Sequence, residues 1–595
     1  MKKTTPLVIT VTVLCAVLLA LVMFWVALLP GRLTSALTQD LERRTGLAAK
    51  VNESSLGVFS GLSLELDDVS LSDVATTATV DRIRAGLSWR NILGSKLRLE
   101  SLNLESPVIT IKTDASVVPP SAEEPADLQS NDKPSKALAV TIHNGTLKWS
   151  DLKRQSSIAV SDINGTVKTD DDGSAAVELA GLFNGKLTRL SATLNDIQRL
   201  KSDGTPSDVT LTSGHNSLSF SGRIRMRGGM QMDGRATAEA ENLHDLVAWA
   251  GLPLSGFSAS GTTRAESSVS WNGARLELKD LAVALGPSNV KGTLSLGLSG
   301  ERPNLEATLS ADVLDLGTYA RSETAPSPSP SIAAPWNEEQ VSFGDLRMLD
   351  AKIVGSAEKL IVAGLQAQKA TLDLQLTSGK LALSLASDNV AGGKATAELQ
   401  LQHGDKQPDL ALKLDATNVG ARAFLQPLTG FAAIDGPLTL HADLQSQGDS
   451  TARLISSAAG TVDLTLKDGR IDGLALASFL SGKGRGWHLQ TDAMTLITTG
   501  HAAFSLQDGI AQATDLSVQS NGLKVTAEGE IDLLRQNLDL VCRPVIGGDI
   551  KLPVQVAVSG PWTDPTVDPD IDPSKLKPKA LLKSGKKAIK KLFGN

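Results

Sequence analysis

The sequence predicts a mainly β protein, built on a long antiparallel sheet with a few short helices and one N-terminal transmembrane helix. Three observations predict it. Apolar residues recur at a period of two: Val462, Leu464 and Leu466 alternate with Asp463, Thr465 and Lys467, which gives a strand one apolar and one polar face. Asx-Gly pairs such as Asp468-Gly469 and Asp508-Gly509 punctuate these stretches, and glycine accepts the positive φ of a tight turn without steric cost. An uncharged run extends from Pro6 to Leu29, long enough for the roughly 20 residues that span a bilayer core.

Composition narrows the function. Of the 595 residues 41% are hydrophobic, but aromatics are only 3%, with a single Tyr. Leu, Val and Ala therefore form most of the apolar surface. Such a surface suits acyl chains, and equally an ordinary aliphatic core. Lys and Arg number 58 against 65 Asp and Glu, a net charge of -7, which argues against a broad nucleic-acid surface. The two cysteines are Cys15, inside the apolar run, and Cys542, so a fold stapled by disulfides is excluded.

Taken in order, residues 1–5 form a short tail whose Lys2 and Lys3 stay cytoplasmic and residues 6–29 form the anchor. The run exceeds the ~7–15 residues of a signal-peptide apolar region, so the anchor is retained and the bulk is exported. This places the chain as a single-pass protein of a bacterial inner membrane, with its bulk periplasmic. Leu33, Leu37 and Leu41, four apart, predict a short helix leaving the membrane. Residues 31–114 form an N-terminal β region. Leu62, Leu64 and Leu66 alternate with polar residues, and Leu97, Leu99, Leu102, Leu104, Val108, Ile109 and Ile111 mark further strands.

The run DDVSLSD, the segment ILG and then KLRLESLNLESPVITI resemble the N-terminal region of the AsmA family. So does the later stretch from Thr417 to Leu476, which carries a short helix, a small-residue connection, a helix at Ser450 to Ser457 and then G-x-V-x-L-x-L-x-D-G-x-I-D-G. LPVQVAVSGPWTDPTVDPD continues the likeness. It covers both ends of the chain, while the middle, from about Ala115 to Trp336, is generic. The resemblance implies an inner-membrane-anchored envelope protein whose sheet is curled into a groove, shielding acyl chains while headgroups stay wet.

Two stretches rich in Pro, Ser and Ala, 115–136 and 322–336, resist packing and are expected to be loops thrown out from the sheet. Between them, residues 137–321 form a middle β region. Its turns are expected at Asn144-Gly145, Asn164-Gly165, Asn184-Gly185, Asp233-Gly234 and Asn272-Gly273. Helices are expected at Leu243 to Ala250, Ala421 to Leu428 and Leu474 to Leu480. Residues 337–572 form the C-terminal β region, with further turns at Asp468-Gly469, Asp508-Gly509 and Asn521-Gly522.

An apolar sheet face needs a cover. The groove candidates are Val462, Leu464, Leu466, Phe504, Leu506, Leu516, Val518, Leu523 and Val525; each also fits plain packing against a helix or strand. Residues 573–595 carry Lys575, Lys577, Lys579, Lys583, Lys586, Lys587, Lys590 and Lys591 with apolar residues between, which reads as a basic amphipathic membrane-surface segment or as a solubilising tail.

No catalytic constellation appears. The seven His are scattered without metal-ligand spacing, the glycine-rich patch from Gly482 to Gly486 reads as a loop, and no metal or cofactor is expected. The expected function is non-enzymatic carriage of phospholipid toward the outer membrane, supporting outer-membrane biogenesis. Its partners would be membrane phospholipid, the inner membrane through the anchor, and the outer membrane or an accessory protein through the tail. The alternative is a scaffold or assembly factor for outer-membrane protein insertion, with no lipid cargo.

Overall fold

The computed structural model describes residues 34–35, 37–39, 42, 47–57, 63–73, 76–87, 99–113, 137–151, 156–227, 229–250, 261–300, 302–315, 336, 338, 344–362, 364–403, 407–472, 494–520, 523–546, 550–551 and 554–571. The anchor predicted over 6–29, the stretches 115–136 and 322–335, the helix at 474–480, the patch 482–486, the Asn521-Gly522 turn and the tail 573–595 lie outside them. Among the described residues no helix is long and apolar enough to cross a membrane. The chain is mainly β, with 32 strands and a few short helices among the described residues. It divides into two compact units, residues 1–255 with 261–276 and residues 256–260 with 277–595.

In the N-terminal unit the strand register carries one apolar face from pair to pair. Leu66 lies opposite Ile83, which pairs with Leu104, then Ile142, Gly165 and Leu179. The row continues through Leu190, Leu211, Leu218, Ala238 and Ala265. The opposite face is polar. Arg84 meets Glu65 at 2.7 Å, and Arg82 lies between Asp67 at 2.7 Å and Glu105 at 3.7 Å. Exposed pairs of this kind contribute little each; they keep that face wet.

The sheet is mixed, a correction to the antiparallel expectation. Leu99–Glu105 and Val108–Thr113 both run parallel to Leu138–Asp151, and Asn304–Asp315 runs parallel to Asp350–Val362. A parallel pair cannot be closed by a hairpin, because the chain must return to the end it started from. The Pro- and Ser-rich stretches 115–136 and 322–336 fall in these two connections, and in each case the strands before and after pair with one another.

The Asx-Gly pairs split into two kinds. Asn184-Gly185 and Asp508-Gly509 close hairpins with positive φ at both residues, 49° and 74°, 50° and 74°, the geometry that matches strand twist. Four others do not turn the chain. Asn144 (φ 53°) lies inside Leu138–Asp151, where the register shifts between Ile142 and Gly145. Asn164-Gly165 lies inside Ser156–Thr169, beside a shift between Ser161 and Asn164. Asp468 (φ 45°) lies inside Ala459–Asp472, where pairing passes from Pro437–Gln447 to Ile434–Asp435. Asp233-Gly234 sits mid-strand, with Gly234 directly opposite Gly222. At Asn144, Gly165 and Asp468 the physical reason is that a residue with positive φ serves a bulge or kink as well as a turn, and a bulge bends the strand without ending it; Asp233 and Gly234 are ordinary extended residues in an unbroken register.

Short helices lie against the apolar face. Leu243–Ala250 starts where Asn242 Oδ1 accepts from the Asp245 N–H at 2.7 Å. Its Trp249, 5% exposed, donates from Nε1 to Thr188 Oγ1 at 3.0 Å. Thr451–Ser456 is capped by Ser450 Oγ, which accepts from the Arg453 N–H. Near the N-terminus, helical Leu37 is fully buried among Leu64, Leu66 and Ile83.

Candidate functional site: an apolar face with covered and uncovered rows

Two rows of side chains cross the C-terminal unit on one face. The first is leucine-rich. It passes from Leu294 through Ala307, Ile353, Leu374, Leu383, Leu399, Leu412 and Leu444, then on through Gly460, Leu506, Ala511, Ile531 and Leu538. The second is alanine-rich. It passes through Ala311, Ala357, Ala370, Ser387, Ala395, Ala416 and Leu440, then Leu464, Ala502, Leu516, Ala527, Cys542 and Val556.

The rows differ in what covers them. Helix Ala421–Thr429 packs over the alanine-rich row, and its Phe424 is 2% exposed among Ala357, Ala370, Ala416 and Leu440. Small side chains beneath let the helix approach. Its charged end is held by Arg422, which pairs with Asp472; Arg470 forms ion pairs with Asp435 at 2.8 Å and Asp472 at 3.2 Å. In the leucine-rich row, Leu374, Leu383, Leu399 and Leu412 are only half-buried and belong to none of the buried clusters among the described residues.

All nine sequence-predicted groove residues fall on this same face by register. Val462, Leu464, Phe504, Leu516 and Val518 are half-buried. Leu466, Leu506, Leu523 and Val525 are buried. Leu466 belongs to the cluster beneath Ala421–Thr429, and Leu506 packs with Ala458 and Ala511. The eight tail lysines lie outside the described residues. The reading of single residues missed Leu374, Leu383, Leu399 and Leu412; their signal is the same alternation, in TLDLQLT, LALSLAS, TAELQLQ and LALKLDA.

The opposite face of these strands is charged. His441 Nδ1 lies 2.5 Å from Asp415 Oδ1, and that bond, with the Asp415 charge, raises the imidazole pKa. His501 lies between Asp463 at 3.7 Å and Asp515 at 3.8 Å. On the apolar face, burial pushes the Cys542 thiol up to about 11.

The AsmA family model matches residues 187–516, more than half of the chain, and takes in much of the middle region that carried no resemblance by motif. AsmA family protein YhjG of Escherichia coli (strain K12) is 20% identical over 402 residues, which cover 61% of this chain and 57% of that protein. The chain thus spans a little over half the length of that relative. With the family model matched over residues 187–516, the chain belongs to the AsmA family.

Proposed function

We propose that the apolar face is a conduit for acyl chains, and that the protein carries phospholipid through a bacterial envelope without chemistry. In this reading residues 6–29 anchor it in the inner membrane, its bulk is periplasmic, and residues 573–595 meet a lipid surface or an accessory protein. The observation that carries the proposal is the half-buried leucine row on successive strands, Leu374, Leu383, Leu399 and Leu412. Each methylene moved from water onto such a wall gains about 0.8 kcal/mol, so a lipid tail prefers it to solvent. The polar opposite face keeps the cargo on one side. Family membership and the match to an E. coli member support the envelope setting.

The test is mass spectrometry of lipid extracted from the purified full chain. Wild type is expected to retain phospholipid. Leu383→Asp with Leu399→Asp is expected to lose most of it while keeping the wild-type melting temperature within a few degrees, because both sites are half-exposed already. A wild-type protein free of lipid, or a double variant that unfolds, would refute the conduit.

A further inference from the structure

The hairpin that joins strand Asn216–Met226 to strand Met230–Ala240 reads RIRMRGGMQM from Arg223 to Met232. Strand alternation puts Ile224, Met226, Met230 and Met232 on one face, the face of Leu218 and Phe220, and Arg223 and Arg225 on the other. Met226 lies opposite Met230, and Met232 lies between Ile224 and Trp271. Met226 and Met230 are 51% and 46% exposed. Methionines make soft, adaptable contact surfaces, and a tryptophan beside them suits a boundary that is apolar on one side and wet on the other. The patch stands apart from Leu218 and the apolar row of this unit. Between them Gly222 and Gly234 face one another without side chains, and the Phe220 ring lies close over both.

The charge of this hairpin has one sign. From residue 223 to 235 there are four arginines and one acid, Asp233, in a chain of net charge -7. Arg223 Nη1 donates to the Gly204 carbonyl at 2.9 Å, and Arg225 Nη2 donates to the Asp203 carbonyl at 3.2 Å. These bonds hold the two guanidinium groups in place without neutralising them. Among the described residues none of Arg223, Arg225, Arg227 and Arg235 forms an ion pair, although Asp233 lies directly opposite Arg223. Guanidinium groups left uncompensated pair well with phosphate, and long basic side chains reach past an apolar layer to its charged boundary. An anionic lipid surface offers both at once, phosphates outside and acyl chains beneath. We infer that residues 223–235, with Trp271, dock on an anionic phospholipid surface, the methionines at the acyl boundary and the arginines at the phosphates. This surface is separate from residues 573–595 and does not rest on the conduit reading.

A dye whose emission moves to the blue in apolar surroundings reads this hairpin directly when attached to Met230→Cys in a Cys15→Ser/Cys542→Ser background. The labelled full chain, held in phosphatidylcholine nanodiscs, is mixed with vesicles of phosphatidylcholine alone or of equal phosphatidylcholine and phosphatidylglycerol. A blue shift is expected with the anionic vesicles only, and it should weaken as salt is added. The Arg227 and Arg235 side chains make no hydrogen bond among the described residues. Arg227→Gln with Arg235→Gln should therefore keep the melting temperature and raise the half-saturating lipid concentration at least about tenfold. Met226→Ser should raise it several-fold. The shift should persist in Leu383→Asp/Leu399→Asp, which empties the conduit, so failure of the docking surface and failure of the conduit are seen separately. No shift, an equal shift with neutral vesicles, or unchanged affinity in the arginine variant overturns the docking surface. Loss of the shift in the conduit variant traces it to carried lipid and overturns it as well. A shift that appears without vesicles as the protein is concentrated makes the patch an interface between copies and overturns the lipid assignment.

Discussion

Cys542 reports on the apolar face from within it. It lies between Ala527 and Val556 by register, and burial raises its thiol to about 11. The thiolate is the reactive form. At pH 8 its fraction should be about a hundredfold below that of a free cysteine of ordinary pKa. In a Cys15→Ser background, maleimide labelling is expected to be slow at pH 8, to speed up about tenfold per pH unit toward 11, and to become fast at pH 8 once the chain is denatured. Fast labelling of the native protein at pH 8 would show Cys542 open to water. Gly222 and Gly234 make the opposite point, since here no side chain fits. A Cβ on Gly234 would lie 2.4 Å from the Ser221 carbonyl oxygen and 3.0 Å from the Phe220 ring. Phe220, itself 7% exposed, covers the bare backbone of the pair.

At the level of elements, what the sequence makes legible is the alternation, and what it hides is the use to which each Asx-Gly pair is put. Val462, Leu464 and Leu466 fall on one face because a period of two admits nothing else. Asp468-Gly469 and Asp508-Gly509 look alike as dipeptides, yet Asp468 kinks a continuing strand and Asp508 closes a hairpin. The difference lies in the partner strands: Ile434–Asp435 waits to pair with Arg470 and Ile471, and no local pattern announces it. Asp468 can be tested by denaturant unfolding. Asp468→Gly should be nearly neutral, whereas Asp468→Val should cost about 1–2 kcal/mol, the penalty of a β-branched residue in the left-handed region. Equal stability of the two would remove the kink as a structural requirement. The helix Ala421–Thr429 is a second such test. Phe424→Ala should cost about 3 kcal/mol or more, as for an aromatic lost from a buried cluster, and should expose the alanine-rich row to hydrogen exchange while leaving Leu383 and Leu399 unchanged.

At the scale of the molecule, each unit carries an apolar face of its own, and the two faces follow from one rule of register repeated across many strands. A store of lipid and a conduit for lipid respond differently to a single fault. In a store, sites are independent, and damage to one removes only its share. In a conduit, cargo must pass every strand, so one uncompensated charge halts all traffic; burying an unpaired carboxylate among tails costs several kcal/mol. Leu218 in the N-terminal unit, 38% exposed, and Leu383 in the C-terminal unit, half-buried, are both open enough to accept Asp without unfolding. Transfer of fluorescent phospholipid between donor and acceptor vesicles by the full chain is expected to fall by at least about tenfold in Leu218→Asp and equally in Leu383→Asp, the effect of a barrier raised by more than ~1.4 kcal/mol. The lipid retained per protein should fall only in part in each variant. If transfer falls merely in proportion to the lipid lost, and the two substitutions combine additively, the apolar faces are separate binding sites and the conduit is wrong.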